Sequence, residues 1–328
     1  MSKPFLHISQ VTYLPNLIRS LHAKGVSTEK MIKKSKLDQY DFSNPNGFIP
    51  SSYLYQFLEQ IQHSQGLYSI AGEFFNDFTL KGAGDYGAGL FVQPNLMQLV
   101  QGGIKFQHVL RTDQALDYKI NGNTFEFIFQ MIGKPSKQKT LQEDIAFAQT
   151  LDTFRHAGGE GWYPSEIHLT TKSVKRLEKL LGPGDYKIYC NQPVNKIVFP
   201  LDLAFKELMP NTLTKNTHID FDTNGLLSNQ ITRLLQNASE GIQLNLNNII
   251  EISNLSGRTL SRRLAEEGVT FNQLASNVMF SKATHLLTST NFSVKEIAQH
   301  LGYSESPSFV RAFKKSSSLT PELFRAQC

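Results

Sequence analysis

Arginine and hydroxyl side chains flank apolar pairs in two stretches near the C-terminal end of the chain. The apolar pair is Leu260 and Leu264 in the first stretch, and Phe309 and Phe313 in the second. Because residues four apart share one face of an α-helix, each pair predicts a helix with this face buried. The residues that then point outward are Arg258, Ser261, Arg262, Ser306, Pro307, Val310 and Arg311.

These outward side chains are of the types that read base edges in the major groove of DNA. Arginine can donate two hydrogen bonds to O6 and N7 of guanine, and Val310 can contact the methyl group of thymine. Further basic residues suit phosphate contacts, which position a protein without specifying sequence. They are Arg263, Lys282, Lys314 and Lys315. The alternative to DNA contact is that these side chains lie on ordinary solvated helix faces. Pro307 also has a structural interpretation, because proline at the start of a helix loses no hydrogen bond through its missing N–H.

Each of the two helices is preceded by a shorter helix and a turn. Residues 248–256 and 296–304 supply these, and the turn residues Asn254 and Gly302 tolerate positive φ. Two helices joined in this way form a helix-turn-helix, so the sequence predicts two such units. The apolar residues of 271–287 follow the helical period and predict one long helix between the units. To enter successive major grooves, the two units must lie about 34 Å apart.

Residues 226–328 resemble the C-terminal DNA-binding domain of the AraC/XylS family of bacterial transcription regulators. The resemblance is carried by LSGRTLSRRLAEEG at 255–268, IAQHLGYSE at 297–305, SFVRAFKK at 308–315 and TPELFR at 320–325. It implies that the outward residues contact bases and that helices around 257–266 and 306–315 read successive major grooves. It also implies double-stranded DNA and RNA polymerase as partners, and activation more often than repression.

Five positions depart from the family pattern. Ser318 stands where the family usually has Gly, Met279 where it has Arg, and Ser253-Asn254 where it has Leu-Gly. Ile250 replaces a small residue in the first unit. These departures predict that the first unit packs less regularly than the second and binds DNA more weakly.

The first 210 residues predict a domain of mixed helices and strands. Apolar residues at helical spacing predict one helix that ends at Gly25 and another that begins after Pro50-Ser51-Ser52. Residues 116–120 and 124–130 flank a turn centred on Gly122, and the second run alternates apolar and polar side chains. This pattern predicts a β-hairpin.

Further short elements follow the hairpin. Strands are predicted at 167–169 and 186–189, with a helix at 173–181 that Gly182 closes. Several segments occur in the same order as in the arabinose-binding-type regulatory domain of one branch of the AraC/XylS family. These segments are 48–50, 87–100, 161–168 and 195–200. The resemblance implies an effector-binding domain, with self-association as a further role, but it does not imply arabinose as the effector.

The composition supports an α+β protein of two domains. The 328 residues are 40% hydrophobic and 19% charged, which is enough apolar material for two cores. A polar stretch rich in Asn and Thr follows residue 210 and is typical of a linker. We therefore expect an effector-binding or dimerisation domain at 1–210, a linker at 211–225 and a DNA-binding domain at 226–328.

Charge, cysteine content and hydropathy restrict the expected cellular location and the expected classes of binding partner. No apolar run reaches the ~18 residues of a membrane span, and the N-terminus lacks a secretory signal, so a cytoplasmic location is expected. Cys190 and Cys328 cannot form a disulfide framework or a cysteine-rich zinc site. The net charge of +5 permits an anionic partner without requiring one. The expected partners are DNA, RNA polymerase, a small-molecule effector and a second copy of the chain.

We expect no catalytic residue, no metal and no cofactor. Residues 82–87 match G-x-G-x-x-G, but 78–81 is too short and polar for the buried strand of a dinucleotide site, so a flexible loop is predicted. The nine histidines show no metal-binding spacing. The competing hypothesis is an enzyme whose helical C-terminal domain only tethers it to DNA or to a partner.

Overall fold

The computed structural model describes residues 6–67, 69–132, 139–208, 226–253 and 255–327. It has the predicted α+β architecture, in which a mixed N-terminal part precedes a C-terminal part whose described residues form helices. The predicted linker at 211–225 and the turn residue Asn254 lie outside the described residues.

Strands and helices of the N-terminal part alternate irregularly along the chain. The strands are β1 (Ile8–Gln10), β2 (Phe48–Pro50), β3 (Gln114–Asn121), β4 (Thr124–Met131), β5 (Glu166–His168), β6 (Lys187–Tyr189) and β7 (Asn195–Pro200). The helices are α1 (Leu14–Ala23), α2 (Glu29–Lys34), α3 (Ser51–Ser64), α4 (Ile70–Glu73), α5 (Gly84–Leu90), α6 (Leu96–Leu110), α7 (Lys139–Gly158) and α8 (Glu178–Leu181). The predicted helices before Gly25 and after Ser52 are confirmed as α1 and α3, although α3 begins two residues earlier than predicted, at Ser51.

Within the described residues, the main sheet has five strands in the order β3-β4-β7-β5-β6. Strands β5 and β6 are parallel, and the other neighbours are antiparallel. The predicted hairpin is confirmed, because Asn121 pairs with Thr124 and Gly122 adopts a φ of +57° in the turn. Strands β1 and β2 form a separate antiparallel pair.

The alternation of β4 positions its phenylalanines on the core side of the sheet. Phe125, Phe127 and Phe129 are all buried. The ring centroid of Phe127 lies 5.3 Å from that of Phe154 on α7, in an edge-to-face arrangement that aromatic pairs favour. Helix α7 therefore covers this face of the sheet.

The predicted helix at 173–181 is wrong in its first half, because only Glu178–Leu181 is α-helical. The Oγ of Ser173 accepts a hydrogen bond from the backbone N–H of Lys175, and its carbonyl accepts one from the Thr171 hydroxyl. Such local bonds compete with helical hydrogen bonding. The predicted end at Gly182 is confirmed by a φ of +65°.

The predicted flexible loop at 82–87 is also wrong, because α5 begins within it. Tyr86 and Leu90 are buried, and a Cβ on Gly87 would stand 2.2 Å from the carbonyl oxygen of Leu80. The glycine therefore allows this helix to pack closely on the preceding segment. Phe75–Phe78 before it is a 3₁₀ helix, so the strand that a dinucleotide fingerprint needs does not occur there.

The C-terminal part consists of seven helices within its described residues. They are α9 (Leu227–Gln236), α10 (Leu246–Ser253), α11 (Gly257–Glu266), α12 (Phe271–Ser289), α13 (Val294–His300), α14 (Ser306–Ser317) and α15 (Pro321–Gln327). Helices α10 and α11 form the first predicted helix-turn-helix unit, and α13 and α14 form the second. Helix α12 is the predicted connector between them.

The buried apolar side chains of the described residues form two clusters. The larger runs through the N-terminal part, α9 and the first unit, and includes Ile231, Leu260 and Leu264. The smaller belongs to the second unit and the end of α12, and includes Phe309 and Phe313. The first unit therefore shares its core with the N-terminal part, whereas the second unit has its own.

Polar contacts also join α9 and the residues after it to the N-terminal part. The side-chain amide of the buried Asn237 donates to the carbonyls of Asp41 and Phe48, each at 3.1 Å. The N–H of Asp41 donates to the carbonyl of Asn237, and the N–H of Ser239 donates to that of Gln39. Helix α9 therefore lies between the two parts and contacts both.

Candidate nucleic-acid interface

The first unit presents its predicted residues on α11. Ser256 caps this helix, because its Oγ accepts a hydrogen bond from the N–H of Thr259 at 3.2 Å. The predicted apolar pair, Leu260 and Leu264, is 0% and 1% exposed. The opposite side carries Arg258, Ser261 and Arg262, which are exposed, and Arg263, which is half-buried.

The second unit presents its predicted residues on α14. Phe309 and Phe313 are buried, and Pro307 lies in the first turn of the helix, as its structural interpretation predicted. The turn residue Gly302 has a φ of +77°, and a Cβ there would stand 2.6 Å from the carbonyl oxygen of Gly241. Pro307, Arg311, Lys314 and Lys315 are exposed, whereas Ser306 and Val310 are half-buried.

Among the described residues, the hydrogen bonds of the two central arginines stay within their own helices. Arg262 pairs with Glu266 one turn further along, and Nη2 of Arg311 donates to the Ser308 hydroxyl at 3.0 Å. Exposed pairs of this kind contribute at most about 1 kcal/mol. Both guanidinium groups can therefore exchange these partners for an anionic ligand at low cost.

Lys282 of α12 makes a contact that the sequence pattern did not indicate. Its Nζ donates to the carbonyl of Ala238 at 3.2 Å, and burial lowers the pKa of its ammonium group. The sequence pattern suggested a phosphate contact for Lys282, but this ammonium fixes α12 to the segment that follows α9.

Hydroxyl caps also explain where the connector α12 and the first helix of the second unit, α13, begin. Thr270 and Gln273 form a capping box at the start of α12, and Ser293 and Glu296 form one at the start of α13. A carboxylate near a helix N-terminus also interacts favourably with the helix dipole, and hydrogen bonds to Ser293 lower the pKa of Glu296.

Two charged residues that the sequence analysis missed hold the units to their neighbours. Both carboxylate oxygens of Glu267 accept hydrogen bonds, from the N–H groups of Leu227 and Ser228 at 2.9 Å, and so cap α9. The guanidinium of Arg325 donates to the carbonyls of Leu287 and Phe292 at 3.1 and 2.6 Å. Both contacts join residues that are far apart in the sequence, so they could not be predicted from the spacing of neighbouring residues.

The departures of the first unit have local structural explanations. The Cδ1 of Ile250 lies 3.0 Å from where a Cβ on Gly257 would stand, so a small residue on the second helix accommodates the large one on the first. The hydroxyl of Ser253 donates to the carbonyl of Ile250 and accepts from the N–H of Leu255, so it serves the turn.

The departure at Ser318 concerns the backbone conformation at the end of α14. Ser318 ends α14 with a φ of +64°, in the left-handed region that glycine adopts most readily. A glycine at this position would avoid the strain that the Cβ of serine introduces.

A membrane-spanning helix and a metal-binding cluster are both absent from the described residues. No helix among them combines the length and apolar character that crossing a membrane demands. No group of three or more metal-binding side chains occurs among them.

Residues 249–327 match the family model described as "Helix-turn-helix domain". The uncharacterized HTH-type transcriptional regulator YfiF of Bacillus subtilis is 40% identical over 84 residues, which are 25% of this chain and 26% of that protein. The urease operon transcriptional activator of Escherichia coli is 39% identical over 69 residues, which are 21% of this chain and 23% of that protein. The matched segment thus spans about a quarter of each relative.

The crystal structure of the transcriptional regulator CdpR from Pseudomonas aeruginosa aligns with 96% of this chain and 98% of its own. The alignment has 17% sequence identity and a TM-score of 0.44.

The two C-terminal units and the matches of residues 249–327 define a helix-turn-helix domain that is similar to those of transcription regulators. Assignment to the AraC/XylS family stays a prediction. The likeness of the N-terminal part to an arabinose-binding-type regulatory domain stays a prediction.

Proposed function

We propose that this protein is a sequence-specific transcription regulator that binds double-stranded DNA and responds to a small effector. The observation that carries the proposal is the repetition of one exposed basic surface on two helices. Arg262 lies two residues after the buried Leu260, and Arg311 lies two residues after the buried Phe309, so the two arginines occupy corresponding positions. Two matched surfaces joined by one helix suit two successive turns of a DNA duplex.

The exposed residues divide into two proposed roles. Arg258, Ser261 and Arg262 on α11, and Ser306, Pro307, Val310 and Arg311 on α14, would contact base edges. Arg263, Lys314 and Lys315 would contact phosphates. The first set would determine which sequence is bound, and the second would set the salt dependence of the affinity.

The proposed regulation depends on α9, which shares one buried core with the N-terminal part and with the first unit. An effector that binds the N-terminal part and prefers one arrangement of α9 shifts DNA affinity by its differential binding energy, typically ~1 to 3 kcal/mol. Asn237 and Arg233 are the polar groups best placed to carry this coupling. The guanidinium of Arg233 donates to the carbonyl of His108 at 3.3 Å and lies 4.9 Å from the ring centre of Phe48.

We propose activation as the direction of regulation, with RNA polymerase as a partner and a homodimer as a possible assembly. The name of the urease operon transcriptional activator supports activation, through a match confined to the helix-turn-helix region. The proposed domain division is 1–210 for effector binding and 226–328 for DNA binding.

Selection of bound duplexes from a random library by the full-length protein, followed by footprinting, tests the proposal. We expect the recovered duplexes to share two elements whose centres lie one helical turn, about 10 base pairs, apart, and affinity to fall steeply with salt. A footprint over a single turn, or one without sequence preference, would contradict the proposal. A turnover product formed from metabolite pools would instead favour an enzyme that is tethered to DNA or a partner.

A further inference from the structure

A cavity of about 50 Å³ lies inside the N-terminal part, between α5, α6, α7 and the β3–β4 hairpin. All of its lining residues are buried except Leu116, which is half-buried. A buried water needs about 10–15 Å³ of such space, so the cavity exceeds the room of one water. It therefore has the size for a small organic molecule of a few non-hydrogen atoms.

The chemistry of the lining selects an uncharged occupant. Leucines, a valine and the rings of Phe127 and Phe154 form most of the surface, and no charged side chain occurs among the described lining residues. An ionised molecule would lose its hydration here without gaining a counter-charge, which is strongly unfavourable.

One lining residue carries an unused hydrogen-bond acceptor. Gln114, the first residue of β3, is 7% exposed, and its Oε1 has no hydrogen-bond partner within the described residues. A buried acceptor without a donor destabilises the protein because it has lost its hydrogen bonds to water. A ligand that donates a hydrogen bond to this oxygen removes that penalty, which favours binding.

The hydroxyls of two other lining residues, Thr150 and Thr153, are already engaged as donors. The hydroxyls of Thr150 and Thr153 donate to the carbonyls of Ala146 and Gln149 at 2.7 and 2.8 Å, so toward the cavity their oxygens can only accept. The lining therefore favours a molecule that donates a hydrogen bond.

Gly103 of α6 keeps part of the space open. A Cβ at this position would stand 3.6 Å from Oη of Tyr86 and 3.8 Å from Cδ2 of Leu90, two other lining residues. Both distances are ordinary van der Waals contacts, so a methyl group would occupy space at the cavity without a clash. Glycine inside a helix lowers its stability, so alanine here also suits the helix better.

We propose that this cavity binds a small uncharged molecule with a short apolar body and one hydroxyl or amide N–H, which donates to Oε1 of Gln114. The regulatory meaning of this binding rests on the proposed function, because the occupant would be the effector. The binding itself requires no DNA.

Two isomers provide matched probes, because 1-butanol and diethyl ether have the same atoms but only the alcohol donates a hydrogen bond. We expect a ligand-observed NMR titration of the full-length protein to show saturable binding of 1-butanol. Its affinity should exceed that of diethyl ether roughly tenfold, the order of effect of satisfying a buried acceptor. Absence of saturable binding of either probe, or equal affinities, would overturn the proposal.

Three variants locate the binding. Gln114→Leu removes the acceptor at similar volume and should abolish the preference for the alcohol. Gly103→Ala should weaken both probes at least severalfold while the protein stays folded by circular dichroism. Gln98→Leu, at an exposed position of α6, is the matched control and should change neither affinity. If Gln114→Leu still binds 1-butanol more tightly than diethyl ether, the alcohol does not donate to Gln114. If Gln114→Leu does not fold, unchanged affinities of Gly103→Ala for both probes would overturn the site.

Binding of a library-selected DNA duplex in the absence of either probe separates this proposal from the proposed function. Loss of sequence-specific DNA binding by a protein that still binds 1-butanol rejects the regulator alone. Specific DNA binding by a protein that binds neither probe rejects the cavity alone.

Discussion

The two helix-turn-helix units share one design but differ in what supports them. In the first unit, Leu260 and Leu264 pack into a core that continues through α9 into the N-terminal part. In the second, Phe309 and Phe313 pack into a separate cluster with the end of α12. Even their turns differ, because Gly302 closes the second turn while the hydroxyl of Ser253 serves the first.

This difference indicates where the proposed signal from the N-terminal part would reach the proposed DNA-binding surface. A unit with its own core can open locally while the rest of the protein stays folded. A unit that shares a core cannot move without disturbing its neighbour. The first unit is therefore the element that a change in the N-terminal part reaches directly, and the second is reached through α12.

The largest expected effect comes from Phe313→Ala, which empties the centre of the separate cluster. A buried Phe→Ala change costs about 3–5 kcal/mol. We expect amide hydrogen exchange to accelerate in α13, α14 and α15, while protection in α7 and α9 is kept. Lys314→Ala, at an exposed neighbouring position, should leave exchange unchanged. Loss of protection that extends into α7 would show that the two cores are one.

Ile231→Ala tests the shared core from the other side. Ile231 is 0% exposed on α9, which contacts β2 of the N-terminal part and α11 and α12 of the C-terminal part. The lost side chain should cost about 2–5 kcal/mol. Faster exchange is expected in both the N-terminal part and the first unit, with the second unit least affected. If only one of the two loses protection, α9 does not connect them; the exposed Gln236→Ala is the control.

Arg262→Ala and Arg311→Ala compare the two reading surfaces. Each should cost ~1 to 3 kcal/mol of DNA affinity and relax specificity at one base pair, as measured by binding to a panel of single-substituted duplexes. We expect the larger loss for Arg311, in the unit that fits the family pattern better. Lys315→Ala should weaken all duplexes alike and reduce the salt dependence. The same uniform loss for either arginine would assign it to phosphate contact.

Ser318→Gly should give the smallest effect, a stabilisation of the second unit by about 0.5–1 kcal/mol. Removal of Cβ relieves the left-handed backbone, and the greater freedom of glycine in the unfolded chain offsets part of this gain. Slower exchange in α14 would report the change, with no effect on α7. Ser316→Gly, inside α14, should instead destabilise the helix. A destabilised Ser318→Gly protein would mean that the serine makes a contact that outweighs its strain.

Patterns that depend on neighbouring residues could be predicted from the sequence. The hairpin around Gly122, the pairs Leu260/Leu264 and Phe309/Phe313, and the long helix α12 all follow from local periodicity and turn chemistry. The helix at 173–181 failed because the hydrogen bonds of Ser173 compete with helical ones. Contacts between distant segments, such as the cap that Glu267 gives α9, leave no periodic trace in the sequence.

The contact that Lys282 makes with Ala238 could not be predicted from the sequence for a related reason. A lysine on a long helix resembles any other exposed basic residue in a sequence, and only the packing of α12 on the segment after α9 determines what its ammonium group meets. The cavity beside Gln114 was equally hidden, because five separate elements enclose it.

The carboxylate of Glu267 has a mechanical consequence. It follows the C-terminal end of α11 and grips the first N–H groups of α9, at the point where the described chain enters its C-terminal part. A displacement of the first turn of α9 is therefore transmitted through two hydrogen bonds to the residue that follows α11.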